Sequence, residues 1–436
     1  MSHETEGDVS LLTHATCQEG NVPLTHLTHA SAGALYLHVP FCLRKCAYCD
    51  FASWATARDD SLLAAYERAL ELQLRAFAAA GLLEGCQTAY VGGGTPTMLG
   101  RGLGGLVACV RQVAPRVGEL SCEANPDSLT DEVLDALVAA GATRVSVGVQ
   151  SLSDAELAEL GRIHTASQAE ERVRAAVATG LDVSCDLMCA IPLQTDASWM
   201  RTLEGVEGLG VGHVSVYPLA IEEGTPLAAR VGDDEAPWNS GDVQAARMEA
   251  AEAELTSHGF HRYEVASYAK PGKECRHNQA YWTGVPYLGL GTGASGMLTR
   301  QGYERLRTVC PQLPAVSGSV ARVRMRVTSG REQIARDPRP EALHCDLELM
   351  DARQAAAEDL MLGCRMAAGV GPGLLTFAAG IMGADLEGAV QRVVERGLAS
   401  CERGRLVPTH QGWLLGNELY GEMWDLSLGT IEQCSC

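Results

Sequence analysis

Short apolar runs alternate with longer amphipathic stretches from residue 33 to about residue 220. The runs Ala34–Val39, Thr88–Val91, Glu119–Glu123, Arg144–Val149, Asp182–Met188 and His213–Pro218 have the length and composition of strands. Asp60–Ala80, Thr130–Ala140 and Gln168–Thr179, which lie between them, read as helices. In the first of these, Leu62, Leu63, Tyr66, Leu70 and Leu74 recur at helical spacing. Asp60 and Thr130 stand where N-caps belong, because a short polar side chain there accepts a bond from a free helix N–H. Six βα units in succession imply a parallel sheet covered by helices. Six falls short of the eight of a closed barrel, so the pattern predicts an α/β fold, either an open partial barrel or a doubly wound sheet. Both architectures place ligands at the carboxyl ends of their strands.

The rest of the chain divides by texture. Residues 1–31 lack periodicity and read as a flexible, His-dotted tail. Residues 32–265 hold the βα units. Residues 266–315 are rich in Gly, Tyr and Asn and read as connecting loops and short elements. Residues 316–436 are mostly helical in pattern and predict a separate small winged-helix-like domain with a β hairpin near Leu406-Val407-Pro408. The closing Cys434-Ser435-Cys436 reads as a solvated end.

Composition narrows the function classes. A hydrophobic share of 46% with 20% charged residues marks a globular chain. Lys and Arg number 34 against 54 Asp and Glu, a net charge of −20. Such a balance argues against nucleic-acid binding and against docking on anionic lipid. No run of about 18 apolar residues predicts a membrane span, and the first residues lack a signal-peptide pattern. Sixteen unevenly spread cysteines fit a reducing cytoplasm, with some of them serving as metal ligands.

The strongest chemical signal is Cys42, Cys46 and Cys49, spaced CxxxCxxC directly after the first strand. Zinc wants four ligands, so a zinc loop would have to borrow one from afar. A redox pair needs only two cysteines. Three cysteines in one loop can hold three irons of a [4Fe–4S] cluster and leave the fourth open to a ligand. Other unusual residues share that end of the fold. Gly92-Gly93-Gly94-Thr95-Pro96 follows the second strand, and Glu123, Gln150 and Asp186 end the third, fourth and fifth. Arg162 follows in Leu160-Gly161-Arg162. His38 fits a core role and a catalytic one equally. Farther on, His277-Asn278-Gln279-Ala280-Tyr281-Trp282 joins a histidine to stacking aromatics. The Gly-rich block Tyr287–Gly296 lacks the strand–helix context of a dinucleotide site, so NAD binding is rejected.

The cysteine loop on the first strand of six βα units resembles the radical S-adenosylmethionine (SAM) superfamily. The string Tyr36-Leu37-His38-Val39-Pro40-Phe41-Cys42 with Cys46, Tyr48 and Cys49 is similar to the oxygen-independent coproporphyrinogen III oxidase-like family, in its HemW branch. The resemblance runs from residue 35 to about 417 and implies a partial (βα)6 TIM barrel with a small helical C-terminal domain. It also implies a [4Fe–4S] cluster on Cys42, Cys46 and Cys49, with SAM on the open iron, cleaved by one electron to a 5′-deoxyadenosyl radical. SAM contacts then fall to Tyr36, Gly93, Gly94, Thr95, Glu123, Gln150, Arg162 and Asp186, and to the main chain at Tyr48 and Pro218. His277 becomes a haem ligand. The branch implies a haem chaperone with a flavodoxin- or ferredoxin-type electron donor and a haem-acceptor protein. Asp50-Phe51 follows Cys49 where the oxidases carry a further Cys, which favours that branch. The alternatives are an oxidase that decarboxylates coproporphyrinogen III propionates and an enzyme that opens the haem ring. Ser295 stands where relatives carry His in the Gly-rich block, which weakens any ligand role there.

Overall fold

The structure, a computed structural model, describes residues 29–232 and 236–428. Its centre is six parallel strands: β1 (Ala34–Val39), β2 (Thr88–Gly93), β3 (Glu119–Ala124), β4 (Arg144–Gln150), β5 (Asp182–Cys189) and β6 (His213–Pro218). All six expected strands are present. They lie side by side in chain order, each paired in parallel with the next. A doubly wound sheet would reverse direction at a switch point, so this order selects the open partial barrel. The helices expected between the strands form at Ser61–Ala79, Asp131–Ala140 and Ala166–Ala178. Asp60 caps the first and Thr130 the second, accepting from Leu62 N and Val133 N.

The sheet continues beyond the barrel on both sides. β7 (His261–Arg262) and β8 (Ser267–Ala269) extend it past β6. β9 (Tyr287–Leu290) pairs in parallel with β1, and β10 (Ser295–Thr299), β11 (Arg322–Val327) and β12 (Cys345–Met350) follow it antiparallel. Two expectations are corrected here. The connecting region 266–315 contributes strands to the main sheet, because Tyr287-Leu288-Gly289-Leu290 is too short and glycine-rich to show a period. The boundary at 316 falls too early, because β11 and β12 complete that sheet.

The C-terminal helical unit starts at Asp351, whose side chain caps the Ala352–Gly363 helix in a capping box with Gln354. Its helices and the hairpin Ala399–Glu402/Arg405–Pro408 enclose a second core that includes Leu360, Leu375, Val393, Leu406 and Leu419. The barrel core is a separate cluster built on strand residues such as Leu35, Leu37, Val91, Leu120 and Val147. The tail boundary also shifts. The His29 carbonyl accepts from Thr299 Oγ1 at 2.7 Å, and Ala32 N donates to Leu82 O at 2.8 Å. Residues 1–28 and the pair Cys434 and Cys436 lie outside the described residues. Among the described residues, no helix is long and apolar enough to cross a membrane.

One buried ion pair ties the C-terminal unit to the sheet. Arg322 of β11 makes two 2.8 Å bonds to the Asp359 carboxylate and one of 3.2 Å to Glu358, with all three side chains almost fully covered. Removing one partner would strand a buried charge, which costs about 3–5 kcal/mol. Asp359→Ala is therefore expected to lose about that much in a urea titration. Arg174→Ala, which breaks an exposed i,i+4 ion pair with Glu170, should lose about 0.5 kcal/mol or less.

Candidate functional site

β1 ends at Val39, and the chain turns directly into the loop that carries Cys42, Cys46 and Cys49. Backbone bonds pin this loop. Trp54 N donates to Pro40 O and Thr56 N to Cys42 O, at 2.9 and 2.8 Å. Ala47 N donates to Leu160 O at 2.9 Å, and Ala47 O accepts from Leu227 N at 2.7 Å. His38 adds a side-chain anchor. Its Nε2 donates to the Ala52 carbonyl at 2.9 Å, and its Nδ1 accepts the Tyr36 hydroxyl at 3.0 Å. A carbonyl can only accept, which fixes this tautomer. Burial holds the His38 pKa below its usual value. Of the two roles the sequence left open, the geometry shows His38 positioning the cysteine loop.

The three cysteines face a cavity of about 460 Å³ at the carboxyl ends of the strands. Gly93, Gly94, Glu123, Gln150, Arg162, Asp186 and Tyr48 line the same cavity. The two glycines are there for space. Gly93 has φ +116°, and a Cβ on it would lie 2.7 Å from the His38 ring. A Cβ on Gly94 would lie 2.7 Å from the Phe41 carbonyl oxygen and 3.0 Å from Cys42 Sγ. Gln150 sits at φ +68°, beside a register shift between β4 and β5. That conformation is costly for a residue with a side chain and is tolerated where surrounding structure enforces it.

Three expected residues stand slightly apart from this cavity. Thr95 is buried behind it, donating from Oγ1 to Cys42 Sγ at 3.5 Å and accepting from Asn125 Nδ2 at 2.9 Å. Pro218 is flanked by the lining residues Tyr217 and Leu219 but does not itself line the cavity. Tyr36 lines two adjoining cavities instead.

Arg162 joins the parts of the site. Its Nη1 donates to Cys46 Sγ at 3.4 Å, and its Nη2 donates to the Gly148 carbonyl at 2.7 Å and Asn125 Oδ1 at 2.8 Å. Burial opposes its charge, but Tyr48 and the Cys46 thiol outweigh that and raise its pKa. Burial raises the Cys42 thiol, against the Thr95 and Ser53 hydroxyls, and it raises Cys49 as well. Glu123 and Asp186 face each other across the barrel interior. Burial, and then the Asp186 charge, push Glu123 up to about 7. Burial pushes Asp186 up to about 6, while Ser146 opposes this through bonds of 3.0 and 3.2 Å. Sequence reasoning passed over Asn125 and Ser146. The only signal for Asn125 was its place just beyond the third strand.

The donor set can be tested against a metal. Among the described residues, no three His, Cys, Asp or Glu side chains lie close enough to share one ion. A zinc ion needs each thiolate about 2.3 Å away. An iron–sulfur cluster gives each thiolate its own iron and accepts a wider spread. Three free thiols on one cavity wall therefore fit a cluster and do not fit zinc.

His277 lies elsewhere. It lies in the first turn of the short Arg276–Trp282 helix at the amino-terminal end of the barrel, where Glu119 accepts from the backbone N–H groups of Arg276 and His277. The ring is buried and stacks on Tyr90 at 5.2 Å. Its Nδ1 bonds Thr88 Oγ1 at 2.9 Å, and its Nε2 bonds the Tyr281 hydroxyl at 3.0 Å. Burial lowers its pKa to about 3. Both ring nitrogens are thus engaged, beside a cavity of about 220 Å³. The same string reaches the C-terminal unit, where Arg365 lies over Trp282 at 5.1 Å.

Residues 36–206 match the radical SAM superfamily. The chain is 36% identical over 395 residues to a protein of Mycobacterium tuberculosis named heme chaperone HemW, covering 88% of this chain and 92% of that one. It is 30% identical to the Bacillus subtilis protein of the same name, covering 88% and 97%. The chain belongs to the HemW family. Coproporphyrinogen III oxidase (HemN) of Escherichia coli shares its fold, with a TM-score of 0.70 at 21% identity over 92% of each chain. The radical SAM family implies a [4Fe–4S] cluster and SAM.

Two outcomes follow. After iron–sulfur reconstitution, serine at Cys42, Cys46 or Cys49 should abolish the cluster's visible absorbance, whereas serine at the buried Cys86 should not. Folded Glu123 keeps its proton up to about pH 7, whereas a free Glu loses it near 4.5. The folded state thus binds more protons in that window, and stability falls as pH rises through it. Glu123→Gln keeps an acceptor for the 2.9 Å bond from Gly93 N and removes the ionisation. In cluster-free protein it should gain about 1–2 kcal/mol over wild type above pH 7, after allowance for water in the cavity, and nothing below pH 4.5. Urea unfolding at the two pH values measures this.

Proposed function

We propose that this chain is a haem chaperone, a cluster-bearing protein that binds haem and passes it to an acceptor protein. The observation that carries the reading is its similarity, over 88% of its length, to proteins named for that role. Asp50-Phe51 after Cys49 supports it, as does a site with room for SAM beside the three thiols. We assign the cluster to Cys42, Cys46 and Cys49. SAM falls to the cavity formed by Gly93, Gly94, Glu123, Gln150, Arg162 and Asp186, backed by Thr95, Tyr36 and the main chain at Tyr48 and Pro218.

When bound, the cluster supplies one electron to SAM, drawn from a flavodoxin- or ferredoxin-class donor. The chain's own residues hold the reactants. Gly93 and Gly94 let the backbone come close to a ligand. Arg162 offers a guanidinium to a carboxylate. Glu123 and Asp186 accept polar groups, and Glu123 keeps its proton up to about pH 7. Met188 and Leu219 keep water from one wall. The free thiols fit the reducing cytoplasm. His277 is assigned to the barrel floor.

The test is an anaerobic assay of protein with a reconstituted cluster, given SAM, reductant and coproporphyrinogen III. The expected result is no protoporphyrinogen IX, together with stoichiometric haem binding by the same preparation. Protoporphyrinogen IX with matched 5′-deoxyadenosine would make the protein an oxidase instead. In haem titrations, His277→Ala should lower the melting temperature yet leave haem affinity within about twofold, less than the tenfold of about 1.4 kcal/mol. A lost haem spectrum in a folded His277→Ala protein would return the ligand role to His277.

A further inference from the structure

β11 carries three arginines on one face, Arg322, Arg324 and Arg326. The Ala352–Gly363 helix engages the first two. Arg322 is held by Glu358 and Asp359, and Arg324 bonds Glu358 and Glu348. Arg326 is exposed, and no hydrogen bond or ion pair to its side chain occurs among the described residues. Its register neighbours are Ser295 on β10 and Asp346 on β12.

Arg326 stands on the wall of a cavity of about 400 Å³ with Tyr36, His38, Phe51, Tyr281 and Tyr287. Pockets for small ligands and cofactors run from roughly 300 to 1,000 Å³. Gly93, Glu123 and Phe51 line both this cavity and the one that holds the three thiols. The lining describes its ligand. Four aromatic rings suit a flat conjugated body. A guanidinium without a partner suits a carboxylate, which it can hold through two parallel bonds. On a chain of net charge −20, an anion needs a dedicated cation to be held at all.

We propose that this cavity receives the haem-type cargo and that Arg326 binds one of its propionate carboxylates. The assignment rests on the haem reading above and adds where the cargo sits and which of its groups is read. Because the Arg326 side chain is exposed and bonds no other residue of the fold, its replacement leaves the strand pairing and the cluster intact.

Haemin and haemin dimethyl ester are titrated anaerobically into the full-length, cluster-reconstituted wild type and the variants Arg326→Gln and Arg326→Lys. Arg326→Gln should weaken haemin binding about tenfold through loss of a charge-assisted bond. Arg326→Lys should regain part of that loss. The diester should bind wild type as weakly as haemin binds Arg326→Gln, and the glutamine should not weaken the diester further. Equal haemin affinity in wild type and Arg326→Gln would place haem elsewhere and overturn this assignment while the chaperone reading stands. A wild type that binds no haem would overturn both.

Discussion

A buried guanidinium holds the site together. Arg162 reaches one of the three cysteines, the carbonyl of Gly148 at the β4 bulge, and Asn125 beyond β3. Asn125 in turn bonds Thr95, and Thr95 bonds Cys42. One network therefore sets the loop after β1 against the ends of β2, β3 and β4. A buried cation left without its partners would be costly, so each contact constrains the others. The thiolates of a bound cluster would bring negative charge to a place where Arg162 already compensates it.

The barrel's two ends are built differently. At the carboxyl ends, glycines and a strained glutamine open space beside the thiols. At the amino-terminal end, the Arg276–Trp282 helix closes the floor with His277, Tyr281 and the Glu119 carboxylate. The interior between them is polar, with Glu123, Asp186, Arg144 and His213 around the smaller cavity. Burial there keeps His213 neutral and raises both carboxylates.

Legibility in the sequence followed pattern strength. The six barrel strands were readable because each is a short apolar run set between periodic helices, and Asp60 and Thr130 cap as their chemistry demands. β9 was hidden by its glycine, and β11, whose Arg–apolar alternation is a strand pattern, was absorbed into a stretch read as mostly helical. The cysteines and the polar strand ends were visible because they interrupt apolar runs. Asn125 and Ser146 were not, since a small polar residue near a strand end is ordinary until its partner across the barrel is known. His277 is a different case. A motif rich in ligand-type residues folds here into a hydrogen-bonded floor, and only three-dimensional contacts reveal that both ring nitrogens are used.

The account places haem next to the cluster, in cavities that share Gly93, Glu123 and Phe51. The most direct test is electron paramagnetic resonance of the reduced cluster in the full-length protein, before and after one equivalent of a paramagnetic metalloporphyrin that stays oxidised under those conditions. A neighbouring paramagnet should broaden the cluster signal and speed its relaxation. An unchanged cluster signal in protein carrying one bound porphyrin would contradict the account.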